Sequence, residues 1–131
     1  MANLQAGLNG TATTIVSDKN TAQTMRSGSL PVFATPAMCA LMEEAACAAL
    51  AGCLEPGMGS VGVSLNITHN APTALDSEVT ATAQLTSIEG RKLTFAVMAK
   101  DKHGVIGKGT HERFIIDNEK FMDKLAELNK E

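Results

Sequence analysis

Glu43 is the residue hardest to explain as ordinary surface. It stands in Thr35–Cys53, TPAMCALMEEAACAALAGC, where Glu43 and Glu44 are the only charges. No Lys or Arg lies three or four residues from either glutamate, so neither gains an ordinary helical ion pair. At helical spacing Glu43 is flanked by Cys39, Ala40, Cys47 and Leu50. Apolar surroundings disfavour the charged form of a carboxylate and tune it for general-base work near neutral pH. A glutamate reaching solvent, or a partner across a sheet, explains the residue equally. Thr35 precedes Pro36 and is placed to cap a helix with its hydroxyl. His69 ends a run of alternating residues on the same side as Ile67, where a structural histidine is an adequate account. Taken singly, none of the three settles a function.

Other chemical signatures fail on context. Gly57-Met58-Gly59-Ser60-Val61-Gly62 reads G-x-G-x-x-G, but a dinucleotide site needs a strand before it and a helix after it. Here a helix ends and a strand begins, which suits a tight turn and close backbone approach. His111-Glu112 would need a histidine at 115 to begin a zinc-protease motif, and that residue is Ile115. No metal site is expected. Cys39, Cys47 and Cys53 read as small apolar residues rather than nucleophiles. They cluster in or beside one helix at spacings that do not permit a bridge, so a reducing cytoplasm is the expected compartment.

The elements that position these residues are legible in outline. Thr35 as cap, Pro36 at the first helical position and Gly52 with Pro56-Gly57 as a stop predict a helix over this stretch. Seven alanines, two methionines and two cysteines lie between. At ~100° per residue both sides of the helix are apolar, which predicts burial nearly all round with a layer wrapped closely against the alanines. Residues 11–26 suggest a strand, then a loop. Ser60–His69 alternates, with Val61, Val63, Leu65 and Ile67 on one side. Ser77–Ile88 alternates through Val79, Ala81, Ala83 and Leu85. Turns at Glu89-Gly90-Arg91 and Lys102-His103-Gly104 lead into two further strands, so these run antiparallel. Residues 117–131 predict a short amphipathic helix through Phe121, Leu125 and Leu128. The fold class is α+β, one curved antiparallel sheet wrapped around one long helix, with an exposed edge or face that dimerisation would cover.

The whole composition sets bounds. A chain of 131 residues, 44% hydrophobic and 19% charged, fits one globular domain over 1–131. A net charge of −3 and 3% aromatics exclude the basic patches and stacking platforms of nucleic-acid binding and offer nothing to an anionic membrane. No apolar run approaches the ~20 residues of a membrane span. The N-terminus lacks the basic region and apolar core of a secretory signal.

The ordered motifs Phe33-Ala34-Thr35-Pro36, Met42-Glu43-Glu44-Ala45, Gly59 to His69, Glu89-Gly90-Arg91-Lys92-Leu93-Thr94-Phe95 and Gly109-Thr110-His111-Glu112-Arg113-Phe114 together resemble the fluoroacetyl-CoA thioesterase-like group of hot-dog proteins. The resemblance spans roughly residues 11–117. It implies a hot-dog fold working as a homodimer, or as a tetramer of two dimers. The implied reaction is hydrolysis of an acyl-CoA thioester, with no cofactor beyond the coenzyme A of the substrate. The family's catalytic threonine, glutamate and histidine fall on Thr35, Glu43 and His69, and its glycine beside the thioester on Gly62. Glu43, aided by His69, would activate either the Thr35 hydroxyl or a water. Coenzyme A would use basic residues at the pocket mouth, for which Arg91, Lys92, Lys108 and Arg113 are candidates. Thr24 to Leu30 carries no aromatic lid residue, so the resemblance carries thioesterase activity rather than one particular acyl group. A non-catalytic acyl-CoA-binding module on the same fold is the alternative. Thr35 and Glu43 lie ~12 Å apart along a helix rising 1.5 Å per residue. The site is therefore expected to gather its groups across a dimer interface, or through substrate and His69.

Overall fold

The computed structural model describes residues 3–130. Met1, Ala2 and Glu131 lie outside the described residues, so the expected span of 1–131 and a last helix ending at 131 are followed only within them. Among these residues the elements run β1 (Asn9–Ile15), α1 (Ala22–Met25), α2 (Thr35–Leu50), β2 (Met58–His69), β3 (Glu78–Glu89), β4 (Lys92–Asp101), β5 (Gly104–Asp117) and α3 (Asn118–Leu128). The strands form one antiparallel sheet in the order β1-β3-β4-β5-β2. Its inner face buries Val79, Ala81, Ala83 and Leu85 from β3 and Leu93, Phe95, Val97 and Ala99 from β4 against Met38, Leu41, Met42, Ala45 and Ala49 of α2. Period-two burial on the strands follows the alternation in the sequence. The arrangement is the expected α+β hot-dog wrap.

Small residues set the closest approach. A Cβ at Gly10 of β1 would overlap the backbone of Ala45 and Ala49, so glycine against alanine lets the strand lie on the helix. Gly52, at φ 74°, turns the chain out of α2 in the left-handed region that glycine tolerates.

Four expectations change. The burial of α2 is one-sided within a single chain: Ala40, Glu44, Cys47 and Ala48 are exposed, because the sheet curls over one side of the helix and the other faces outward. The strict alternation of β2 breaks at Gly62–Ser64, where an extra residue bulges out of the pairing with β5. Val63 is that residue, and it is 56% exposed rather than inward. The N-cap of α2 is Ala34, with Thr35 already helical. The loop after β1 contains a short helix, α1, capped by the Thr21 side chain, which accepts a hydrogen bond from Thr24 N.

Candidate active site

The one-residue shift in the helix start releases a hydroxyl. Thr35 makes no capping bond; its Oγ1 lies 2.7 Å from His69 Nδ1. His69 reaches that point because it is the last residue of β2, paired with Gly107, and stands edge-on to Phe33 with ring centroids 6.4 Å apart. Burial pushes the His69 pKa below the ordinary imidazole value. The ring is therefore held neutral, the form that accepts a proton from a hydroxyl. Its Nε2 is buried and has no hydrogen-bond partner among the described residues, an orphan that an incoming oxygen would satisfy. Thr35 and His69 open into a cleft of about 310 Å³ walled by Phe33, Val32, Ala22, Ser27 and Ala71. The loop carrying α1 supplies Ala22 and Ser27, tied back by a hydrogen bond from Ala22 N to Val32 O.

Glu43 lies elsewhere. It is not among the residues lining this cleft. Its Oε2 lies 3.4 Å from Arg113 Nη1 and 3.8 Å from His111 Nε2. The apolar setting expected for this carboxylate is not the one found: the side chain is 43% exposed and faces a guanidinium. Helical neighbours predict what shares a face of α2, and the groups opposite that face come from β5. Gly62 lies directly across from Arg113 in the β2–β5 register. A Cβ at Gly62 would stand 2.5 Å from Glu43 Oε2, so glycine leaves the space that the carboxylate occupies.

Within one chain, then, the five predicted site residues form two groups. Thr35 pairs with His69, and Glu43 gathers with Gly62 and Arg113. Arg113 is not at an open pocket mouth. Its side chain is 8% exposed, with Nε donating to Ser60 Oγ at 2.8 Å and Nη2 to Ser60 O at 3.1 Å. Lys92 is engaged by Glu112 at 3.2 Å on the outer face of the sheet.

Two residues of the second group escaped sequence reasoning, Ser60 and His111. The signal for His111 was the period-two pattern of β5, which puts His111 and Arg113 on one face. A motif search looking only for a following histidine passes over it. Cys39, one turn from Glu43, has its thiol pKa raised by burial and then by the Glu43 charge, so it stays protonated and is a poor nucleophile. Among the described residues, no group of three or more His, Cys, Asp or Glu could hold a metal ion.

The chain is similar to known proteins in both sequence and fold. A family model for fluoroacetyl-CoA-specific thioesterases matches residues 16–119. Over 96 residues the chain is 49% identical to a fluoroacetyl-CoA thioesterase from Streptantibioticus cattleyicolor, covering 73% of this chain and 69% of that protein. The solved structure of a fluoroacetyl-CoA thioesterase superposes with a TM-score of 0.90 at 38% identity, covering 98% of this chain and 99% of the other. A thioesterase superfamily member from Thermus thermophilus superposes at 0.89 with 26% identity, covering 98% and 95%.

Proposed function

The chain belongs to the fluoroacetyl-CoA-specific thioesterase family, and on that premise we propose that it hydrolyses a small acyl-CoA thioester to the free acid and coenzyme A. The observation that carries the site assignment is the 2.7 Å contact between Thr35 Oγ1 and His69 Nδ1 in an open cleft. With Nδ1 unprotonated, His69 takes the Thr35 proton as Oγ1 attacks the thioester carbonyl. The proton then passes to the departing thiolate of coenzyme A. A water deprotonated by a carboxylate attacks the threonine ester, the acid leaves as its bond to Oγ1 breaks, and the proton taken from water returns to Thr35 Oγ1. Glu43 is that carboxylate.

Glu43 does not touch Thr35 or His69 of its own chain, so the completed site takes Glu43 from a second copy. β2 is the natural seam: it is an edge strand of the sheet, and the exposed Val63 and the Glu43–Gly62 group both lie along it. An edge strand of this length, with one flank of its backbone unpaired, is a template for a second strand. A homodimer joined there is the working unit, and a tetramer would pair two of them. Three free cysteines among the described residues suit a reducing cytoplasm. No cofactor is invoked beyond the coenzyme A of the substrate.

The test is release of free thiol from a series of acetyl-, fluoroacetyl-, propionyl- and butyryl-CoA. Wild-type protein releases coenzyme A from at least one of them. Thr35→Ala and Glu43→Ala each lower kcat by about 10²–10⁴-fold, the range for loss of a nucleophile or general base. Binding of acyl-CoA without turnover in the wild type would identify a binding module instead.

A further inference from the structure

His111 is 1% exposed and lies on the inner face of β5, opposite Leu65 of β2 and Phe95 of β4. Its ring stacks on Phe95, with centroids 6.1 Å apart. Nδ1 lies 2.8 Å from the Ser64 carbonyl oxygen. A carbonyl only accepts, so Nδ1 carries the ring proton. Nε2 lies 3.1 Å from Arg113 Nη1. A guanidinium only donates, so Nε2 is bare and accepts. Both contacts select the same neutral tautomer, and a second ring proton would point at the N–H groups of a cation. The 3.8 Å approach of Nε2 to Glu43 Oε2 is therefore a neighbouring contact rather than an ion pair.

The Ser64 carbonyl is the first on β2 beyond the bulge at Gly62–Ser64, and bulges re-aim the groups beside them. Arg113 is held from the other side by Ser60, through Nε and Nη2. Nη1 is left between His111 and Glu43, 3.4 Å from the carboxylate. We propose that His111, locked in one tautomer by the bulged Ser64 carbonyl, is a positioning residue that fixes the Arg113 fork and so holds the Glu43 carboxylate over Gly62. The proposal rests on Glu43 being the catalytic base. A part-exposed glutamate side chain samples several rotamers unless something anchors it, and a displacement of about 1 Å in a reacting group costs about 10²-fold in rate.

His111→Phe preserves ring volume and the stack on Phe95 while removing both hydrogen bonds. It is expected to lower kcat about 30- to 100-fold with KM within about twofold. His111→Gln, whose carboxamide offers one donor and one acceptor, recovers at least about tenfold of that loss. His111→Asn, one methylene shorter than Gln, reaches Ser64 with its N–H but leaves its carbonyl short of Arg113 and behaves like Phe, which preserves the test if His111→Phe does not fold. In a Glu43→Gln background, His111→Phe costs less than about twofold, because it acts through the missing carboxylate. Wild-type kcat in folded His111→Phe or His111→Asn overturns the proposal. So does an equal loss in both backgrounds, or a Gln variant no better than Phe. If Glu43→Gln itself leaves kcat intact, the base assignment has failed, and that outcome is read before any His111 variant is made.

Discussion

Thr35 and His69 show how a single position changes a residue's work. A threonine before a proline at a helix start is a ready cap, yet Ala34 takes the cap position and the Thr35 hydroxyl turns to His69 at 2.7 Å. The depressed His69 pKa has a consequence for stability. Its folded value lies below the unfolded one, near the ordinary 6.5, because burial penalises the charged ring. Well above pH 6.5 both states are neutral at this site and nothing is lost. As pH falls through 6.5 the unfolded chain takes up the proton first, so stability declines until the folded ring also protonates. Denaturant titrations between pH 8 and pH 5 should show wild-type stability falling more steeply than that of His69→Asn. Parallel curves would remove burial as the cause. His103 and His111 remain in both proteins, so the difference isolates His69.

At the scale of elements, two glycines with similar steric constraint have opposite consequences. A Cβ at Gly10 meets the backbone of Ala45 and Ala49 in α2, and neither backbone can yield without parting strand from helix. Gly10→Ala is expected to cost about 1–3 kcal/mol and several degrees of Tm. A Cβ at Gly62 meets the free end of Glu43 at 2.5 Å, with His111 Cε1 at 3.2 Å and Arg113 Nη1 at 3.4 Å. The glutamate can swing aside, so Gly62→Ala should leave Tm within a few degrees and lower kcat about 10²-fold. Thermal melts and thiol-release kinetics on the two variants check both halves. A large Tm loss at Gly62 would make it a packing residue instead. The loop with α1 is a third element of the site: Ala22 and Ser27 wall the cleft where the acyl group would sit, and neither is aromatic.

At the scale of the molecule, the division of the site is the main constraint. Thr35 at the start of α2 meets His69 at the end of β2, while Glu43 lies two turns further along α2, against β5. Mixing Thr35→Ala with Glu43→Gln, each inactive alone, should restore activity if Glu43 is supplied by a second copy. Half the dimers are then mixed, each with one intact site, giving about a quarter of the wild-type rate. No recovery after exchange of subunits would return all three groups to one chain. Val63→Lys places a charge on the β2 edge and should dissociate the proposed dimer by light scattering, with loss of turnover in parallel. α3 adds little to this frame, since its residues are exposed and it packs lightly on β5.

Much was legible without the structure, and the reason is locality. Period two along Ser77–Ile88 and the Gly90 and Gly104 turns are properties of neighbouring residues, so the antiparallel strands could be read directly. The alanine and methionine run of α2, between Pro36 and Gly52, announced a helix against a closely packed layer. The resemblance supplied Thr35, Glu43 and His69 as one set. What the residues alone could not supply were relations across long separations: that Glu43 faces Arg113, 70 residues on, or that β2 bulges at Val63 and turns Ser64 towards His111. Those depend on register, which slips by one residue at the cost of turning every side chain to the opposite face. The sequence thus determined the main elements and the chemical groups. Only the tertiary structure decided which groups meet, because strand pairing and the space left by glycine bring together residues that no local pattern connects.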